Sequence, residues 1–223
     1  MIVLAAAVAI AALGVRYART HTPGRLDRHL DDSIQRRVAG HPHLLVRVIE
    51  VADPGSVIVI CVLLFALFML MNRTRLAVLA VLGPALAGGL VDLVLKPLFD
   101  RHLGSMLSFP SGHTAATASL ALVVIFAMIG PSRLPWPSVL RWLIALAATA
   151  SVPVIAIALI GGGYHYATDT LGGLLVAIAC VLSVALLIDA IAGQPGSHRV
   201  VPRQQMAKQA TRPDDAAVPR VRA

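Results

Sequence analysis

Long apolar runs separated by short polar breaks run through most of this chain, and they predict its elements. Runs over residues 57–71, 76–95, 113–130, 139–160 and 170–191 each approach the roughly 20 residues a helix needs to cross a bilayer. An earlier run from Met1 to Val15 is shorter and is followed by Arg16 and Arg19. It lacks the basic start of a secretory signal, so it is read as a first span, whole or with a truncated start. The breaks consist of helix stoppers and polar groups: Asp53-Pro54-Gly55-Ser56, Asn72-Arg73-Thr74-Arg75, and Pro131 to Ser138. Pro84 and Pro153 fall inside runs, where neighbouring helices can satisfy the freed backbone, so they predict kinks rather than ends. Gly88 and Gly89, and later Gly172 and Gly173, offer small faces for close helix packing.

Residues 16–56 follow a different pattern. Leu26, Leu30, Ile34 and Val38 recur every four residues, with Arg28, Asp31, Asp32, Arg36 and Arg37 between them. That spacing predicts a helix with one apolar stripe, suited to a membrane surface or to the side of the bundle. Gly40 and Pro42 interrupt it and Leu44 to Val51 resumes it. From Gly193 onward the chain is polar and rich in Pro, Gln and Arg, which predicts a basic, disordered tail. The expected architecture is all-α: an integral membrane bundle of about six transmembrane helices with an amphipathic segment between the first two spans. Residues 1–192 form its membrane-embedded domain, with a core at 50–192, and residues 193–223 form the tail.

Composition narrows the class. A hydrophobic content of 57%, a charged content of 13% and a mean hydropathy of +0.80 exclude an ordinary soluble domain. The formal charge of +8 does not imply a nucleic-acid partner, because the basic residues lie at membrane borders and in the tail. Cys61 and Cys180 sit singly inside apolar runs and are expected to pack as small hydrophobes, with no spacing that suggests a disulfide framework or a metal site. Six spans put both termini on one side. That side receives ten of the 19 Lys and Arg residues, and seven of the other nine lie in the long 16–56 segment. Long segments count less, so the positive-inside rule favours cytoplasmic termini.

The opposite side then collects four helix ends, each carrying something polar. Lys96 and Arg101 follow the third span, Ser111 and His113 open the fourth, and His165 and Asp169 join the fifth to the sixth. A helix start with Ser111 and Gly112 presents unpaired N–H groups and a dipole suited to an anion such as phosphate. His113 can carry a proton near neutral pH. The spacing of His165 and Asp169 allows a carboxylate to orient an imidazole if the turn is helical. Each has an ordinary alternative: Lys96 as a snorkelling anchor paired with Asp92, Arg101 as a solvated partner of Asp100, and the His165–Asp169 pair as a structural contact. Together they can bind a phosphoryl group and supply a nucleophile and a proton donor.

At these residues the chain resembles the type 2 phosphatidic acid phosphatase superfamily of membrane lipid phosphatases. Pro110-Ser111-Gly112-His113 matches that family's second motif in full. His165 to Asp169 matches the second half of its third motif, and Lys96 the start of its first. Leu103-Gly104 stands where the first motif has Arg-Pro, and Ala158-Leu159 where the third has Ser-Arg. Arg101, two residues early, is the expected stand-in. The resemblance implies that His165 attacks phosphorus, Asp169 holds its imidazole, and His113 protonates the leaving group. Lys96, Arg101, Ser111 and Gly112 would bind the phosphoryl oxygens, with no metal or other cofactor required. It implies a lipid phosphate or diphosphate substrate, such as a polyprenyl diphosphate, phosphatidic acid or phosphatidylglycerol phosphate, cleaved at the outer face of the cell membrane. The missing arginines leave a second expectation open, a relative that binds lipid phosphate without turnover.

Overall fold

A computed structural model describes residues 1–130 and 133–192; the expected tail lies outside the described residues. The helices follow the apolar runs closely. They are α1 (Ile2–Tyr17), α2 (Arg25–Val38), α3 (Pro42–Glu50), α4 (Pro54–Leu70), α5 (Thr74–Leu90), α6 (Lys96–Phe99), α7 (Gly112–Ile129), α8 (Ser138–Gly161) and α9 (Ala167–Ala192). A π-helical turn, Val91–Leu95, joins α5 to α6, so that Thr74–Phe99 forms one apolar rod. Pro84 and Pro153 lie within α5 and α8 without ending them.

Among the described residues, four helical segments are long and apolar enough to cross a membrane alone: Thr74–Phe99, Gly112–Ile129, Ser138–Gly161 and Ala167–Ala192. The bent pair α3 and α4, with 45° between them, can form a fifth. The first run gives a helix of 16 residues, shorter than a full span. Four to five candidate spans therefore stand against the six expected, because Met1 to Tyr17 is short and Pro54 bends the chain before α4.

Two apolar clusters hold the bundle together. Phe68, Leu76, Leu79, Val123, Leu134 and Val181 fill the half near the 72–75 break. Ile10, Val91, Phe99, Phe109, Val176 and Cys180 fill the other half. Such side chains are worth about 1.5–3 kcal/mol each when moved out of water, although between membrane helices close packing carries more of the association. Gly173 is one place where this closeness is required. A Cβ there would collide with the Ser111 carbonyl oxygen and stand 3.0 Å from the Ala115 nitrogen. Glycine lets the start of α9 lie directly on the start of α7.

The amphipathic helix turns its acidic side, rather than its leucines, to the bundle. Leu26 and Leu30 of its apolar stripe remain exposed, whereas Asp27 and Asp31 are buried. α2 therefore packs with acidic groups inward, and its leucines face the surroundings. The segment between α6 and α7 also contains an unexpected two-stranded ribbon, β1 (His102–Leu103) and β2 (Met106–Leu107), turning at Gly104 with φ +61°.

Candidate active site

The site forms where α7 and α9 begin. Ser111 is the N-cap of α7, and its backbone N–H donates to the Asp169 carbonyl at 3.0 Å. Its hydroxyl accepts from the Thr114 N–H at 3.3 Å and from the Thr114 hydroxyl at 3.1 Å. The cap is fully buried, so the expected phosphate ligand Ser111 is first of all the device that fixes the turn. Gly112 and His113, next along the chain, are partly exposed.

His113 and His165 face each other with ring centroids 6.4 Å apart and planes inclined at 63°. Nδ1 of His165 lies 3.6 Å from Oδ2 of Asp169. That is beyond hydrogen-bond range, and the nitrogen has no other partner among the described residues. Asp169 Oδ2 instead accepts from the Tyr166 N–H at 3.0 Å. The dyad is assembled but not closed. A small movement of the imidazole would complete it, as is common in catalytic sites without substrate.

Lys96 sits one turn beyond Asp92, and its ammonium pairs with that carboxylate at 2.8 Å. The π-helical turn brings this pair beside the start of α7: a Cβ at Gly112 would lie 3.7 Å from Asp92 Oδ1 and 3.9 Å from Lys96 Nζ. Lys96, Gly112 and His113 thus meet, and they close one end of a cleft of about 450 Å³ between α4 and α5. The rest of the cleft is lined largely by apolar residues, including Val57, Ile58, Val62, Val81 and Pro84. His165 and Asp169 stand behind His113 rather than in the cleft wall.

Arg101 corrects the sequence expectation. It is fully buried and turned into a network instead of presented to a phosphate. One terminal nitrogen donates to Asp169 Oδ1 at 2.6 Å and Thr168 Oγ1 at 2.7 Å; the other donates to Asp27 Oδ2 at 2.7 Å. The Tyr17 and Tyr166 rings flank the guanidinium, each with its centroid 4.4 Å away. The backbone is tied as well, since the Ser108 N–H donates to the Arg101 carbonyl at 2.8 Å. With two carboxylates on a guanidinium out of water, this charge is committed to holding the start of α9.

Asp27 and Asp31 complete that network from α2. Burial alone would raise the Asp27 carboxyl, but bonds from the Thr168 N–H and hydroxyl, Arg101 and the Gly24 N–H outweigh it and hold Asp27 below its ordinary range. Asp31 accepts only from the Ala167 N–H, at 3.1 Å. Burial, with Asp27 and Asp169 as like-charged neighbours, pushes it up to about 6. Leu159, where the family motif has arginine, is buried in an apolar cluster with Ala52 and Ile155. That position is now a packing contact rather than an anion ligand.

Comparison with known proteins agrees with this geometry. The family model of the PAP2 superfamily matches residues 1–191. The chain belongs to the PAP2 superfamily. Among solved structures it is similar to the first transmembrane PAP2 type phosphatidylglycerolphosphate phosphatase from Bacillus subtilis. The TM-score is 0.63 at 17% identity, covering 88% of this chain and 98% of that one. A likeness at that identity speaks for the fold. No curated protein matches the chain. By its family and its apolar helices this PAP2 protein is a multi-pass membrane protein.

Reading the sequence singled out His113, His165, Asp169, Lys96 and Gly112, and the structure gathers all five around the start of α7. It did not single out Asp27, Thr168, Tyr17 or Tyr166 as parts of the site, and it treated Asp53 only as part of a helix break and cap.

Proposed function

We propose that this PAP2 protein hydrolyses the phosphate or diphosphate group of a membrane lipid through a phosphohistidine on His165. The observation that carries the reading is the pair of facing imidazoles, of which His113 lines the polar end of a largely apolar cleft and His165 stands behind it. The cleft suits the chain of a lipid, and its polar end suits the headgroup. Lys96, the Gly112 backbone and the N-terminal dipole of α7 supply positive potential to the phosphoryl oxygens.

In the first step a ring nitrogen of His165 attacks phosphorus. The bond from phosphorus to the leaving oxygen breaks, and His113 gives that oxygen its proton. Asp169 holds the other nitrogen of His165 and balances the charge that develops on the ring. In the second step water attacks the phosphohistidine, His113 takes its proton, and the P–N bond breaks to release inorganic phosphate. A diphosphate substrate would leave the lipid monophosphate after the first step. We place the site on the outer face and both termini in the cytoplasm, a reading supported by the distribution of Lys and Arg.

The test is phosphate release by purified protein from phosphatidic acid, phosphatidylglycerol phosphate and a polyprenyl diphosphate. His165→Ala is expected to remove activity by about 10⁴-fold or more. Equal release by wild type and variant would overturn the mechanism. The commitment of Arg101 to Asp27 and Asp169 favours one second reading, a relative that binds lipid phosphate without turnover. Binding of these lipids in the absence of any His165-dependent release would establish it.

A further inference from the structure

The proposed nucleophile has its family partner in Asp169, but His113 also has a carboxylate. One ring nitrogen of His113, Nε2, lies 3.2 Å from Oδ1 of Asp53. Asp53 is 60 residues away in sequence, at the bend between α3 and α4. It occupies the N-cap position of α4, with the extended backbone usual for a cap (φ −62°, ψ 149°). An aspartate there ordinarily turns its side chain back to accept from the first free N–H groups of its own helix. Asp53 makes no such bond. Its carboxylate gives up the cap and goes to His113 instead.

We infer that Asp53 is a positioning residue for His113, so that two Asp–His pairs face each other across the site. The inference rests on the phosphatase reading above and adds a residue to it. An imidazole held by a carboxylate on one nitrogen presents the other in a fixed direction. With Nε2 held by Asp53, Nδ1 is the nitrogen that gives its proton to the leaving oxygen. In the second step the same nitrogen takes a proton from the attacking water. The contact also links the proton donor to the cleft, because α4, which starts at Asp53, forms one of its walls.

Leaving-group chemistry separates this role from a purely structural contact. An alkoxide cannot leave without a proton, whereas a nitrophenolate can. The experiment compares dodecyl phosphate with a nitrophenyl phosphate carrying the same dodecyl chain, so that both fill the cleft alike. Asp53→Asn is expected to lower kcat on dodecyl phosphate about 10–100-fold, part of the range that general acid catalysis supplies. KM for dodecyl phosphate should be little changed, and kcat/KM on the nitrophenyl ester, which reports only the step that expels the leaving group, should stay within about threefold of wild type. Asp53→Glu, which keeps the carboxylate, should recover part of the loss. Equal losses of kcat/KM on both esters, or none on either, would overturn the role of Asp53 while leaving the phosphatase reading intact. Wild-type protein that hydrolyses neither ester would defeat the phosphatase reading and the role of Asp53 with it.

Discussion

The two halves of the site are built to different standards. On the α9 side, Asp169 and Arg101 are fully buried, and the His165 side chain is only 10% exposed. On the cleft side, His113 is 32% exposed and its partner Asp53 49%. The first half is a charge network locked from four directions, by α1, α2, the segment after α6, and α9. The second half is open, with single contacts between side chains that can still move. A nucleophile gains from a fixed direction of attack, whereas groups that meet each new headgroup must allow it in and out. Burial and access have been divided between the two sides: the carboxylate that faces His165 is fixed by the buried network, while the His165 ring itself stands 3.6 Å from it.

Breaking the locked half should have the largest effect on the fold. Arg101→Met leaves Asp27 and Asp169 buried without their shared cation, which typically costs about 3–5 kcal/mol. Thermal unfolding in detergent should show a large drop, with activity lost alongside. A variant with wild-type stability and ordinary turnover would mean that the network holds nothing in place. Closing the gap between the halves is the next test. Gly173→Ala drives a methyl group into the Ser111 carbonyl and should cost about 1–3 kcal/mol through overpacking. It should also lower kcat, because α9 carries Asp169, the partner of His165, and α7 carries His113. An unchanged kcat would show that the two helix starts need not be in close register.

The smallest effect is a pH dependence confined to the locked half. Asp31 has its carboxyl raised to about 6 from 3.8, so the folded state holds that proton more tightly than the unfolded chain. Its protonated form therefore favours folding, and this advantage is present below about pH 4 and lost as pH rises through about 6. Asp31→Asn keeps an oxygen for the Ala167 N–H and removes the charge. It should unfold at a higher temperature than wild type at pH 7.5, by at most about 3 kcal/mol of stability, and with little difference at pH 3. The opposite pattern would show that the Asp31 charge is stabilising.

These two halves were also unequally legible in the sequence. The apolar runs placed the helices, and Pro110 to His113 with His165 and Asp169 located the chemistry, because each is a local pattern. Gly172 and Gly173 announced a close helix contact for the same reason. Asp27 and Asp53 were hidden by the company they keep. One lies beside a leucine stripe that suggests an outward polar face, and the other lies in a run of helix breakers. Their roles depend on partners 74 and 60 residues distant, and no periodicity carries that information. Arg101 was noticed but given the wrong neighbour, since only the folded chain shows two carboxylates reaching it. Leu159 shows the same limit, because a missing arginine could be read but not the apolar contact that replaced it.

The central claim is that His165 carries the phosphoryl group during turnover. Rapid acid-free quenching of wild-type protein with lipid substrate labelled with ³²P in the phosphate to be transferred, followed by peptide mapping, tests it directly. The account predicts an acid-labile, base-stable label on His165 that is absent from His165→Ala. Steady hydrolysis with no label on His165, or with the label on another residue, would contradict it.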